Sequence, residues 1–148
     1  MSNIIQSLWI GGKLSKMERL SIKSFVDHGH EYHLYTYEEI PNVPKGAIVK
    51  DANEILNRSE IFRYKNGSVS AFSNLFRFTM LYKKGGYWAD TDLICLKPFT
   101  YDKEIVIPTE TNDQYNDNVI TSCFLKLPMK SKEALEGITI QRKNKLKI

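Results

Sequence analysis

An α/β sandwich with a mixed, mostly parallel sheet is the fold class this sequence predicts, and three observations predict it. Short β-prone runs alternate with amphipathic helical stretches through the first two thirds of the chain. Glycines fall where those helices should stop, at Gly29 and Gly85. A paired acid, Asp90-Thr91-Asp92, follows a short aromatic strand. In open α/β sheets ligands gather at the carboxyl ends of the parallel strands, so the acids fall where the fold would use them.

Taken in order, Ile4 to Ile10 (IIQSLWI) is a mostly apolar run closed by Gly11-Gly12, a buried first strand and its turn. Ser15 with Glu18 three residues on forms a capping box, each side chain answering a backbone donor at the helix start. Leu14, Met17, Ser21 and Phe25 recur at steps of three and four, Ile22 and Val26 widen the stripe, and Gly29 ends it. Glu31 to Tyr37 (EYHLYTY) is β-prone and completes a β-α-β opening. Pro41, Pro44 and Gly46 then break the pattern, DANEIL from Asp51 reads as a short helix, and residues 57–67 form a polar connection. Ser68 to Lys84 is the clearest helix: Phe72, Phe76 and Thr79 align, Leu75 and Tyr82 flank them, and Lys83-Lys84 complement the dipole. Strands are expected through Tyr87-Trp88-Ala89, Leu93 to Leu96, EIVIP from Glu104 and NVITSCFLKLP from Asn118, with a last helix starting over Ser131 to Leu135. No repeat or linker divides the chain, which reads as one domain over residues 1–140 and a basic tail over 141–148.

Composition narrows the function classes. With 42% hydrophobic and 11% aromatic residues the chain has enough apolar material for a core, which excludes a disordered segment. Lys and Arg number 21 against 17 acids, but Arg142, Lys143, Lys145 and Lys147 carry the whole excess, so the +4 belongs to the tail. A nucleic-acid face needs cations clustered within the fold, and none is expected here. The tail reads as a solvated terminus, with contact to an anionic membrane surface as the alternative. Cys95 and Cys123 sit in apolar runs and read as free thiols. No apolar run approaches the ~20 residues that span a bilayer, and no charged region precedes an apolar leader, so a cytoplasmic chain, at most peripheral to a membrane, is expected.

The chemistry concentrates between Ser73 and Phe99. Two carboxylates at i and i+2 on extended backbone point to one side and repel, an arrangement that a divalent cation relieves. Mg²⁺ or Mn²⁺ suits oxygen ligands and keeps positions open for phosphate oxygens. Trp88 lies two residues before Asp90, hence on the same face, and is either an aromatic wall for a base or sugar or a core residue. Asn74 and Arg77 are neighbours on one face of the helix, and an Arg among apolar residues needs a partner, either a structural carboxylate or a ribose or phosphate.

FSNLFRFTMLYKKGGYWADTDLICLKPF closely resembles the DXD-containing sugar transferases, which include capsular and lipopolysaccharide glycosyltransferases, yeast-type mannosyltransferases and, more distantly, the clostridial glucosylating toxins. The resemblance spans about residues 4–127. It implies a GT-A-like, Rossmann-type α/β sandwich, a UDP-sugar donor (UDP-galactose or UDP-glucose) and Mn²⁺ or Mg²⁺. It also implies a glycan or lipid-linked glycan acceptor, and retention of anomeric configuration. Through SLWIGG it gives Trp9 the role of stacking on the nucleotide base. By the same resemblance Arg77 contacts the donor, Trp88 lines its pocket, Asp90 touches ribose or metal through water, and Asp92 ligates the metal. Asp90 and Asp92 are thus the expected catalytic pair, and Trp9, Asn74, Arg77, Trp88 and Asp90 the expected donor-binding set. Many members carry Asp where this chain has Asn74, whose amide still hydrogen-bonds a ribose hydroxyl without charge. Members also continue further, with a C-terminal half for the acceptor, so a C-terminally truncated version of the fold is expected. The alternative is a non-catalytic nucleotide-sugar-binding domain or an inactive, shortened glycosyltransferase.

Other candidates are weaker. His28, His30 and His33 are spaced like metal ligands, but the helix end at Gly29 assigns them to capping and strand packing. Ser70 and Ser73 have no nucleophile-base arrangement around them. Asp113 and Asp117 fall in a polar segment expected to be a solvated loop, with closure over a substrate as the alternative. A phosphotransferase with an aspartyl nucleophile also uses Asp-X-Asp on a strand, but Ile94 and the preceding GYWA depart from its pattern.

Overall fold

The computed structural model describes residues 3–112, 114 and 117–145. Five strands form one sheet: β1 (Ile5–Trp9), β2 (Tyr32–Thr36), β3 (Ile48–Asp51), β4 (Gly86–Ala89) and β7 (Phe124–Leu127), in the order β3-β2-β1-β4-β7. The first four run parallel, and β7 is antiparallel to β4. A separate hairpin pairs β5 (Thr109–Asn112) with β6 (Asp117–Ile120). Among the described residues there are also three helices, α1 (Lys16–Asp27), α2 (Ser70–Lys84) and α3 (Lys132–Lys145), with short 3-10 turns at Ala52–Glu54 and Arg58–Glu60. The mixed, mostly parallel α/β architecture is the expected one.

Alternation along the strands distributes the core to both faces. Tyr87 and Ala89 join Ile5, Tyr32 and Leu34 under α1, with Ile22 and Phe25. Trp88 points the other way and joins Phe72, Leu75, Phe76 and Met80 of α2, with Leu125, Leu127 and Ala134. Both capping devices on α1 form as expected: Ser15 and Glu18 make the reciprocal box, and His28 occupies the C-cap position. α3 packs against α2 with Gly137 facing Phe78; a Cβ at Gly137 would lie 2.4 Å from the Phe78 ring. Gly137→Ala is therefore expected to destabilise the domain by ~1–3 kcal/mol through overpacking, although Ala has the higher helix propensity. A higher midpoint in thermal denaturation would refute that contact.

The structure departs from expectation at four places. β3 carries Ile48 and Val49 at 45% and 49% exposure, and an edge strand with little buried surface leaves no alternating signature. Leu93 to Leu96 is not a strand: it crosses the α1 side irregularly, with the Cys95 N–H held by Ser24 Oγ at 2.8 Å and Leu96 84% exposed. With no neighbouring strand, β-prone side chains do not make a strand. EIVIP forms only one bridge, Val106 to Lys126, while the run from Asn118 breaks at Thr121-Ser122-Cys123 into β6 and β7. α3 continues through Lys145, drawing Arg142 to 3.6 Å from Glu60 and Lys145 to 4.9 Å from the centre of Phe62, so that part of the basic end is folded. Asp113 and Lys147 lie outside the described residues; Asp117 opens β6 and is exposed.

Candidate active site

The order β3-β2-β1-β4 places the switch point of the sheet between β1 and β4, where the chain leaves one side of β1 and returns on the other. Trp9 ends β1 and Asp90 follows β4, so both stand at the carboxyl edge of that crevice. α2 passes beside it and contributes Asn74 and Arg77. A cleft of about 450 Å³ opens there, lined by Trp9, Asn74, Arg77, Trp88, Asp90 and Asp92 together with Met17, Glu18, Ser70 and Ser73. All six residues assigned to the site from sequence meet in this one cleft.

Arg77 and Asp90 form its fixed part. Arg77 Nη2 donates to Asp90 Oδ1 at 2.8 Å, and Trp88 Nε1 donates to the same oxygen at 2.7 Å. The guanidinium lies 5.1 Å from the centre of the Trp88 ring, a cation–π arrangement that holds both planes. Its other terminal nitrogen donates to Ser122 Oγ, and Nε has no hydrogen-bond partner among the described residues. The Asp90 N–H donates to Cys123 O at 2.8 Å, so the break between β6 and β7 clamps backbone and guanidinium together. Burial raises the Asp90 carboxyl above its ordinary range; Arg77 and the Trp88 bond pull against that shift, and Asp92 adds to it. Burial likewise lowers Arg77, which Asp90 opposes.

Trp88 is therefore a different kind of wall from the one its position suggested. It lines the cleft, but at 1% exposure with its N–H given to Asp90 it offers no open ring face for stacking. Its place on the α2 side, packed 6.4 Å from Phe76, is the reason. Trp9 is half-buried, and its Nε1 donates to Gly12 O at 2.9 Å, which fixes the ring over the Gly11-Gly12 turn. Gly11 has φ +138, a conformation glycine adopts freely.

Asp92 behaves unlike Asp90. The chain turns at Thr91-Asp92, so the two acids do not share one extended strand; the Leu93 N–H reaches back to Asp90 O at 3.3 Å. Asp92 is exposed, and its carboxylate has no hydrogen bond or ion pair among the described residues. Asn74 likewise keeps its side-chain amide free in the cleft. No cluster of three His, Cys, Asp or Glu occurs among the described residues. Two carboxylates still suit Mg²⁺ or Mn²⁺, which bind through one or two acids and leave the remaining positions to water and phosphate. An unengaged Asp92 and the second oxygen of Asp90 are the oxygen groups here that could hold such an ion.

A family model described as the glycosyltransferase sugar-binding region containing a DXD motif matches residues 15–117. The chain belongs to this family. In fold it is similar to the PaToxG glycosyltransferase, with a TM-score of 0.71 over 98% of this chain at 14% identity. The chain spans 61% of that structure's length. No curated protein matches it in sequence.

Within this DXD-containing domain, Ser122 is the partner that sequence reasoning missed. It stands 45 residues from Arg77 in a run that reads as continuous strand. The polar pair Thr121-Ser122 inside that run was the available sign. The histidines take packing roles: His28 Nδ1 meets Ser24 O at 2.7 Å, His33 pairs with Glu31 at 2.7 Å, and His30 lies against Phe99. Both cysteines are free, Cys95 buried and Cys123 half-buried.

Proposed function

We propose that this domain binds a UDP-sugar, with galactose or glucose as the sugar, through Mn²⁺ or Mg²⁺ and transfers the sugar with retention to a glycan or lipid-linked glycan. The observation that carries the reading is an unengaged Asp92 beside the fixed Arg77–Asp90 pair in a cleft at the switch point. Asp92 and Asp90 would hold the ion, which when bound supplies Lewis-acid stabilisation to the departing diphosphate. Asn74 donates its amide to a ribose hydroxyl, Trp9 presents its ring to the uracil, and Arg77 keeps Asp90 oriented while its charge faces the diphosphate. Family membership and the likeness of fold to a glycosyltransferase support this assignment.

The test is turnover of UDP-galactose and UDP-glucose, by hydrolysis and by transfer across an acceptor panel, beside calorimetric binding of UDP with Mn²⁺. Metal-dependent binding together with turnover is the expected result. Metal-dependent binding with no turnover of either sugar would instead establish the non-catalytic alternative. Replacing Trp9 by Ala is expected to weaken UDP by ~1–3 kcal/mol, the worth of a stacked base in single-stranded nucleic-acid sites. Undiminished UDP affinity in a folded Trp9→Ala protein, measured by the same calorimetry, would remove the ring from the nucleotide site.

A further inference from the structure

A second cleft, of about 350 Å³, opens on the outer side of α1, lined by Lys16, Arg19, Leu20 and Lys23 of the helix and by Pro44 and Lys45 of the loop after β2. Four of its six lining residues are cations and none is an acid. The sequence hides this cluster, because charges balance along the chain before the tail; folding sets Lys45 against α1.

The loop is held there firmly. The Asn42 amide bonds the Leu14 backbone both ways, accepting from its N–H at 2.9 Å and donating to its C=O at 2.8 Å. Gly46, at φ +96, approaches α1 so closely that a Cβ would lie 2.6 Å from Val26 Cγ1. Lys23 is engaged by Asp27 at 2.6 Å. Lys16, Arg19 and Lys45 are exposed and have no acid partner among the described residues. A fixed group of like charges is unfavourable in isolation and becomes favourable against an anionic partner.

Aliphatic side chains decide which partner. Leu20 is 59% exposed in the middle of the cations, and Met17 beside it is 55% exposed. No aromatic ring lines the cleft to stack on a base, whereas cations around exposed aliphatic residues on one helix face match the headgroup and acyl boundary of a bilayer. We propose that the α1 face of Lys16, Arg19, Leu20 and Lys45 docks the domain on an anionic membrane surface, with headgroup phosphates in the cleft. Met17 and Glu18 of the same helix line the donor cleft, so docking would bring the mouth of that cleft to the lipid headgroups. That last step rests on the glycosyltransferase reading and points to a membrane-borne acceptor. The docking itself does not rest on it.

The test is co-sedimentation of the full 148-residue chain with vesicles of phosphatidylcholine alone or mixed with phosphatidylglycerol, with no donor present. Binding is expected only to the anionic vesicles and is expected to fall with added salt. Charge reversal of the three free cations (K16E/R19E/K45E) should lower partitioning about 100-fold, and Leu20→Ser should lower it less. All four residues are exposed and stand outside the donor cleft, so calorimetric UDP binding should be unchanged and confirms folding. Vesicle binding retained by the triple variant, or lost instead with K143E/K145E at the end of α3, would overturn the proposal. So would an intact protein that binds single-stranded RNA but neither kind of vesicle.

Discussion

Asp90→Ala is expected to lower the unfolding free energy by ~3–5 kcal/mol, the effect of leaving one member of a buried ion pair without its partner. In a chain of this length that corresponds to a thermal midpoint lower by roughly 10 °C. The reason lies with Arg77, whose side chain is only 6% exposed. Without Asp90 its guanidinium keeps a single hydrogen bond, to Ser122 Oγ, and Nε already has no hydrogen-bond partner among the described residues. Arg77→Met should cost less, because the Asp90 side chain is 32% exposed and still accepts from Trp88, so water can serve the freed oxygen. The double variant is then expected to be more stable than the sum of the single losses, with an interaction energy of ~0.5–3 kcal/mol. Denaturant titrations of the four proteins check this, and strict additivity would show that the pair does not stabilise the fold.

The same pair carries a pH signature. Asp90 is raised in the folded state, so it binds its proton more tightly there than in the unfolded chain. Its contribution to stability is present below the unfolded value of 3.8 and is lost as pH rises through the raised folded value. Removing Arg77 takes away the largest influence that lowers Asp90, so the loss should extend to higher pH in Arg77→Met. Asp90→Asn should abolish that component of the profile.

How much of this was legible in the sequence depends on how local each signal is. The capping box at Ser15, the stripe of α2 and the glycine stops are written within a few residues, and each appears where expected. β3 and β5 were not legible, and β6 was read as one strand with β7, because these segments are short, exposed and specified by their neighbours more than by their own side chains. Leu93 to Leu96 shows the converse, a β-prone run with no strand to pair. At the site, sequence assembled Trp9, Asn74, Arg77, Trp88, Asp90 and Asp92, and the fold brings all six to one cleft. Different roles for Asp90 and Asp92 came from the family resemblance alone, since extended backbone would have made the two acids equivalent; in the fold the turn at Thr91 separates them, and Trp88 serves Asp90 in place of an open stacking surface.

That division makes Asp92 the sharper probe of function. Asp92→Ala should leave stability within about ±0.5 kcal/mol, as for other exposed positions without partners. Its expected effect falls on binding: Mn²⁺-dependent UDP affinity should drop by at least the ~10–100-fold that loss of even an outer metal partner brings. The carboxylate is exposed, lines the cleft and makes no hydrogen bond or ion pair among the described residues that the substitution would break. Calorimetric titration of UDP with and without Mn²⁺ into the wild type and Asp92→Ala gives four affinities. The wild type with metal should stand alone as tight, and the other three should be weak and alike. Four equal affinities in folded proteins would exclude a metal-bridged donor. Asp92→Asn refines the result, since it keeps size and one neutral oxygen ligand but removes the charge that draws a divalent ion. If Asn restores binding to the wild-type level, Asp92 acts by hydrogen bonding to the donor and the ion is held elsewhere. If Asn remains as weak as Ala, the negative charge is what the site requires, which would place the cation beside the acid of this cleft that has no partner among the described residues.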